Sequence, residues 1–218
     1  MTRVKICGIT RETDLAAAVE AGADAVGFVC EVPVETPRAC SIERVCELIA
    51  ATPPFVTTVL VTMTDVERAI DLVDIAEPDV VQIHAEYAAG DLAYLRSAVD
   101  ASVVLATGVD RVPSVAQFED LVDALVVDSV DDAGAGGTGE THDWERTRTA
   151  ASTLSIPIVL AGGLAPGNVG AAVRAVEPYG VDVSTGVESA GGEKDPDAVR
   201  SFVERARAER LTRDRVEA

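Results

Sequence analysis

Eight short apolar runs punctuate the chain, and a longer stretch with a helical spacing of apolar residues follows each one. The runs are Val4–Cys7, Asp24–Cys30, Phe55–Val61, Val80–His84, Ala101–Ala106, Ala124–Asp128, Ile156–Leu160 and Val181–Val183. Their length is that of β-strands, and they read as apolar stretches rather than alternating ones. Strands covered on both faces require that pattern. The stretches between them predict helices over Glu12–Ala21, Ile42–Ala50, 64–73, Ala88–Ala98, Ser114–Asp120, Thr141–Ser152, Asn168–Val176 and Pro196–Glu209. Boundary residues agree with these limits. Thr10 and Thr13 are candidate caps of the first helix, and Gly22 is its stop. Ser41 and Thr64 precede the second and third helices, and Asp195 precedes a proline suited to a first turn.

Strand and helix thus alternate eight times, at a repeat of roughly 27 residues, as a parallel βα architecture does. We expect a closed (β/α)8 TIM barrel, one domain over residues 1–218, compact beside the usual length of about 250 residues. An open doubly wound sheet is the alternative. It normally carries a glycine fingerprint after the first strand, and here Gly8 stands alone there.

Composition adds a strong bias of charge. Hydrophobic residues are 48% of the chain, ample for a core, yet the formal net charge is −19. The only lysines are Lys5 and Lys194. So acidic a chain is not built to neutralise a nucleic-acid backbone. The charge is spread along the chain, which predicts a surface adapted to concentrated salt, where screening removes self-repulsion. The apolar runs are too short to span a membrane. Met1 leads into the first strand without a signal-peptide layout, so a cytoplasmic protein is expected. Cys7, Cys30, Cys40 and Cys46 form no CxxC pair and stand far from His84 and His142. Neither a metal site nor a disulfide framework is expected.

In a barrel of this kind, chemistry belongs at the C-terminal ends of the strands. Those ends carry Cys7, the Arg38 loop, Val61, His84, Thr107, Asp128, Gly162-Gly163 and Ser184-Thr185-Gly186. The glycine turns after the seventh and eighth strands let backbone N–H groups approach an anion, and predict a phosphate seat. A thiol at Cys7 ordinarily reads as a small buried hydrophobe. Lys5, two residues earlier on the same strand face, argues for a polar rim and is a candidate source of thiolate stabilisation. Asp128 ends a strand after three apolar residues, where a desolvated carboxyl suits an acid, although a helix-capping or solvated role is the ordinary alternative. Arg38 is a candidate carboxylate clamp, or else a surface ion pair, with Glu31 near enough in sequence to compete for it. His84 is assigned a positioning role on the rim, and His142 and Trp144 structural ones.

These motifs together resemble the phosphoribosylanthranilate isomerase family over nearly the whole chain. The resemblance rests on Val4-Lys5-Ile6-Cys7-Gly8-Ile9-Thr10, Gly22-Ala23-Asp24-Ala25-Val26-Gly27-Phe28, Val81-Gln82-Ile83-His84, and Gly136-Gly137-Thr138-Gly139 with Asp143-Trp144. It continues through Leu160-Ala161-Gly162-Gly163-Leu164 and Val181-Asp182-Val183-Ser184-Thr185-Gly186-Val187-Glu188. It implies an Amadori rearrangement without cofactor or metal. On that pattern Cys7 is the general base, Asp128 the general acid, and Arg38 the anchor of an anthranilate carboxylate. The turns at Gly162-Gly163 and Ser184-Thr185-Gly186 hold a phosphate. The partner is then a small-molecule substrate, and the protein a monomer or homodimer.

Cys30, Glu31, Leu105, Glu140 and His142 depart from the family pattern. Two other classes compete with the isomerase. One is a related sugar-phosphate barrel enzyme. Indole-glycerol-phosphate synthase needs catalytic lysines, of which only Lys5 is expected near a strand end, and the histidine-pathway isomerase carries an aspartate where Cys7 stands. The other is a phosphate-binding barrel without catalysis.

Overall fold

Eight parallel strands close on themselves in the computed structural model. They are β1 (Arg3–Cys7), β2 (Ala25–Cys30), β3 (Thr57–Thr62), β4 (Val80–Ile83), β5 (Ser102–Gly108), β6 (Ala124–Asp128), β7 (Ile158–Leu160) and β8 (Gly180–Val183). Each pairs with its sequence neighbour, and β1 pairs with both β2 and β8, which closes the barrel. The structure describes residues 1–128 and 144–214, with side chains through residue 208. The expected loop from Ser129 to Gly139, together with Glu140, His142 and Asp143, lies outside the described residues.

Alternation along each strand divides the apolar residues into two sets. Val4, Ile6, Phe28, Leu60, Leu105, Leu125 and Leu160 belong to the main core, which continues into residues of the surrounding helices such as Leu48, Leu72 and Phe202. Smaller side chains form two separate clusters, one of Cys7, Val59 and Val61 and one of Ala106, Val126 and Ala161. Small residues there leave open volume at the C-terminal mouth, where bulkier ones would fill it.

The helices are α1 (Glu12–Glu20), α2 (Ile42–Ala51), α3 (Val66–Ala76), α4 (Ala89–Ala98), α5 (Val112–Val115), α6 (Trp144–Ala151), α7 (Val169–Val176) and α8 (Pro196–Asp214). Ser41 caps α2 by accepting from the Arg44 N–H, and Asp195 caps α8 by accepting from Asp197 and Ala198. Three expectations need correction. The cap of α3 is Asp65, whose carboxylate takes the Arg68 N–H, rather than Thr64. Neither threonine caps α1; Arg11 holds that position, and Thr10 Oγ1 donates to the Gly192 carbonyl instead. The stretch expected as one helix over Ser114–Asp120 is α5 flanked by 3-10 turns at Val109–Arg111 and Ala116–Leu121. Beyond β8 the chain makes a small antiparallel hairpin, Glu188–Ala190 with Glu193–Lys194, that sequence patterning does not signal.

Candidate active site

Cys7 is the last residue of β1, and one alternation places Lys5 on the same inner face. Lys5 Nζ donates to Asp182 Oδ2 at 2.7 Å, and both side chains are more than nine-tenths buried. Register dictates this pair, since Lys5 and Asp182 are direct partners between β1 and β8. On the other side Cys7 is the partner of Gly27 in β2. A Cβ at position 27 would lie 2.8 Å from Cys7 Sγ and 3.1 Å from Lys5 Cε. Glycine there is what gives the thiol and the lysine stem room to stand together.

Burial pushes the Cys7 thiol above its ordinary pKa; Lys5 pulls it down, and Asp182 pushes it up. The cation expected beside the thiol is therefore present, but desolvation outweighs it, and the resting side chain is a thiol rather than a thiolate. Burial also opposes charge on Lys5, yet the carboxylate of Asp182 favours it, and the ammonium is held above its ordinary pKa.

Cys7 and Asp128 border one cavity of about 340 Å³ at the mouth of the barrel. Arg38 and His84 border it as well, as do Gly162, Gly163, Ser184 and Thr185. His84 sits one residue past β4, with its N–H donated to the Thr62 carbonyl. Gly162 and Gly163 both have positive φ, and Asn168 Nδ2 fastens their turn through the Gly163 carbonyl. Gly186 does not border the cavity. Its backbone packs against the preceding turn so closely that a Cβ would come within 1.9 Å of the Leu164 carbonyl oxygen. Its contribution is to bring the two turns together. Asp182 Oδ1 and Ser184 Oγ are buried without a hydrogen-bond partner among the described residues, and both residues border the cavity. Buried polar atoms left open in a cavity wall are seats for a ligand's hydroxyls or oxyanions.

Arg38 is held differently from expectation. Glu31 does not compete for it, because Glu31 pairs with Arg68 at 2.6 Å. Glu188 takes Arg38 instead, with Nε to Oε1 at 2.8 Å and Nη2 to Oε2 at 2.7 Å. Nη1 reaches Thr36 Oγ1 at 3.3 Å. Among the described residues, those bonds leave one N–H on each terminal nitrogen. Lys194 also corrects the sequence reading, which places only Lys5 near the strand ends. Its ammonium is buried at the same rim, bonded to Glu188 Oε1 at 2.8 Å and to the Ser184 carbonyl at 3.1 Å. Asp182, Glu188 and Lys194 are the residues that sequence reasoning passes over. Asp182 had a signal, being a carboxylate inside an apolar strand; the other two depend on a hairpin folding back.

Residues 4–205 match the sequence model of the family described as N-(5'phosphoribosyl)anthranilate (PRA) isomerase. The chain is 56% identical to the N-(5'-phosphoribosyl)anthranilate isomerase of Haloferax volcanii, over 96% of this chain and 95% of that one. It is 56% identical to that of Halobacterium salinarum, over 95% and 97%. Among solved structures, phosphoribosyl anthranilate isomerase from Thermotoga maritima superposes with a TM-score of 0.84 at 33% identity, covering 95% of this chain and all of that one. A phosphoribosyl anthranilate isomerase in complex with reduced 1-(o-carboxyphenylamino)-1-deoxyribulose 5-phosphate gives 0.81 at 32% identity, with 95% and 100% covered. A closed barrel, a thiol and a carboxyl on one mouth, and matches of this length all lead to one assignment: the chain belongs to the N-(5'-phosphoribosyl)anthranilate isomerase family.

Proposed function

We propose that this chain converts N-(5-phosphoribosyl)anthranilate to 1-(2-carboxyphenylamino)-1-deoxyribulose 5-phosphate, an Amadori rearrangement of tryptophan biosynthesis. It does so in the cytoplasm, without a cofactor. The observation that carries this reading is the single cavity bordered by both Cys7 and Asp128, with the glycine turns on the same mouth. A sugar phosphate set in that cavity has an acid and a base to flank it.

In this reading the Gly162-Gly163 and Ser184-Thr185-Gly186 turns take the phosphate, and the open edge of Arg38 takes the anthranilate carboxylate. Asp182 Oδ1 accepts from a sugar hydroxyl, and His84 helps to position the substrate. Asp128 gives its proton to the furanose ring oxygen as the bond from that oxygen to C1 breaks. The nitrogen lone pair closes to C1, and an iminium cation results. That charge acidifies the C2 proton and, beside Cys7, favours the thiolate that desolvation otherwise disfavours. Cys7 removes the proton, the electron pair neutralises the iminium, and the enolamine tautomerises to the ketone. Positioned acid–base groups of this kind are worth roughly 100- to 10,000-fold each.

The test is loss of phosphoribosylanthranilate fluorescence on addition of the protein in concentrated KCl. Loss proportional to protein, with formation of the ketone product, is expected. Fluorescence that does not decay would contradict the assignment and leave a phosphate-binding barrel.

A further inference from the structure

Two charged residues at the rim, Glu188 and Lys194, have no role in the reading above. The side chain of Glu188, on the hairpin that follows β8, is 6% exposed, and it accepts from two cations at once. Arg38 gives it Nε and Nη2, and Lys194 gives it Nζ. Lys194 has no exposed side-chain surface and also donates to the Ser184 carbonyl, in the turn after β8. The hairpin tip is pinned to the Arg38 loop: a Cβ on Gly192 would stand 2.5 Å from the Pro37 carbonyl oxygen. Burial opposes charge on Glu188, but the bonds from Arg38 and Lys194 keep its carboxyl below the ordinary range, so it stays ionised.

An arginine gripped on one edge by a carboxylate is a neutral pair, and a neutral pair attracts a second carboxylate poorly. With Lys194 added, two cations face one anion, and the cluster keeps a net positive charge. In a chain of net charge −19, that local excess matters for drawing in a substrate with an anionic group at each end.

We propose that Glu188 and Lys194 are positioning residues: Glu188 fixes the orientation of Arg38, and Lys194 restores the charge that Glu188 cancels while tying the carboxylate anchor to the phosphate turn. The inference rests on the functional reading above, since it concerns how that substrate's two anionic ends are received. Neither residue need touch the substrate.

The test compares KM and kcat in concentrated KCl for wild type, Lys194→Met, Glu188→Gln and the double variant, with circular dichroism to establish folding. Loss of a unit charge about 10 Å from an anion, at an effective dielectric constant of about 20, corresponds to roughly 10-fold in binding. Lys194→Met should raise KM by about that factor while kcat falls much less. Glu188→Gln keeps both cations and should not raise KM, though kcat should drop as Arg38 loses its fixed orientation. The double variant leaves Arg38 as a lone cation, so its KM should fall back below that of Lys194→Met. A purely structural role predicts the opposite order, with KM rising in Glu188→Gln and the double variant worst of all; that order would overturn the inference. If Lys194→Met alone does not fold, Glu188→Gln against wild type still decides, because a raised KM there contradicts the proposal. Failure of wild type to turn over phosphoribosylanthranilate would refute the functional reading instead, so the two failures are distinguishable.

Discussion

Replacing Lys5 by methionine removes a buried cation from the neighbourhood of Cys7 while keeping an unbranched stem of similar length. A Cβ built on Gly27 lies 2.8 Å from Cys7 Sγ and 3.1 Å from Lys5 Cε, so those two atoms are no more than about 6 Å apart. At that separation and an effective dielectric constant of about 20, a unit charge is worth about 2.8 kcal/mol, or about 2 pKa units. The thiol already sits above its ordinary value through burial, with Lys5 pulling down and Asp182 pushing up. Lys5→Met should therefore move it further up by one to two units, on the order of the Coulomb figure. Asp182→Asn should move it down, because that change removes the opposing carboxylate. The assay is iodoacetamide alkylation across pH, read by mass spectrometry on the tryptic peptide that carries Cys7. Trypsin cuts after Lys5 and Arg11, so the wild-type peptide is Ile6–Arg11, with Cys7 as its one cysteine. Concentrated KCl screens the surface charges and leaves the buried pair nearly untouched. The wild-type midpoint should lie above the ordinary thiol value. A profile unmoved by Lys5→Met, or displaced to lower pH, would refute the electrostatic account of the thiol.

Gly27→Ala places a methyl against both Cys7 Sγ and Lys5 Cε; overpacking of this order costs about 1–3 kcal/mol. Turnover should fall at least ~10-fold by fluorescence assay, and wild-type activity would show that the thiol has more room than its contacts indicate. The charge of −19 predicts that thermal unfolding in about 0.2 M KCl occurs roughly 10 °C or more below that in about 3 M KCl, as self-repulsion loses its screening. Equal midpoints by calorimetry would count against a salt-adapted surface. Arg38→Met should raise KM by roughly 10-fold or more with a smaller loss in kcat, as removal of a charge-assisted anchor does; a change confined to kcat would argue that Arg38 does not hold the carboxylate.

The barrel was legible because its signals are local. Apolar runs of strand length, each followed by a helical pattern, repeat eight times, and the chain has few other ways to cover both faces of those strands. Cap positions moved by a residue where two candidates stood side by side, as Thr64 and Asp65 do before α3. The strand-end residues were legible for the same reason, since parallel barrels put every such end on one mouth. The ion pairs were not. Arg38 and Glu188 are 150 positions apart, and Lys5 and Asp182 are 177 apart. Sequence proximity suggested Glu31 for Arg38, but Glu31 lies where α3 offers it Arg68. Lys194 reaches the rim only because a hairpin folds back over Ser184. The sign of the Cys7 shift was likewise beyond sequence, because it depends on how completely water is excluded.

The most direct measurement of the central claim is steady-state turnover of phosphoribosylanthranilate by folded Cys7→Ala and Asp128→Ala in concentrated KCl. Each should fall at least ~100-fold below wild type. Turnover near the wild-type rate in either variant would remove that residue from the chemistry, and with it the pairing of thiol base and carboxylic acid across one cavity.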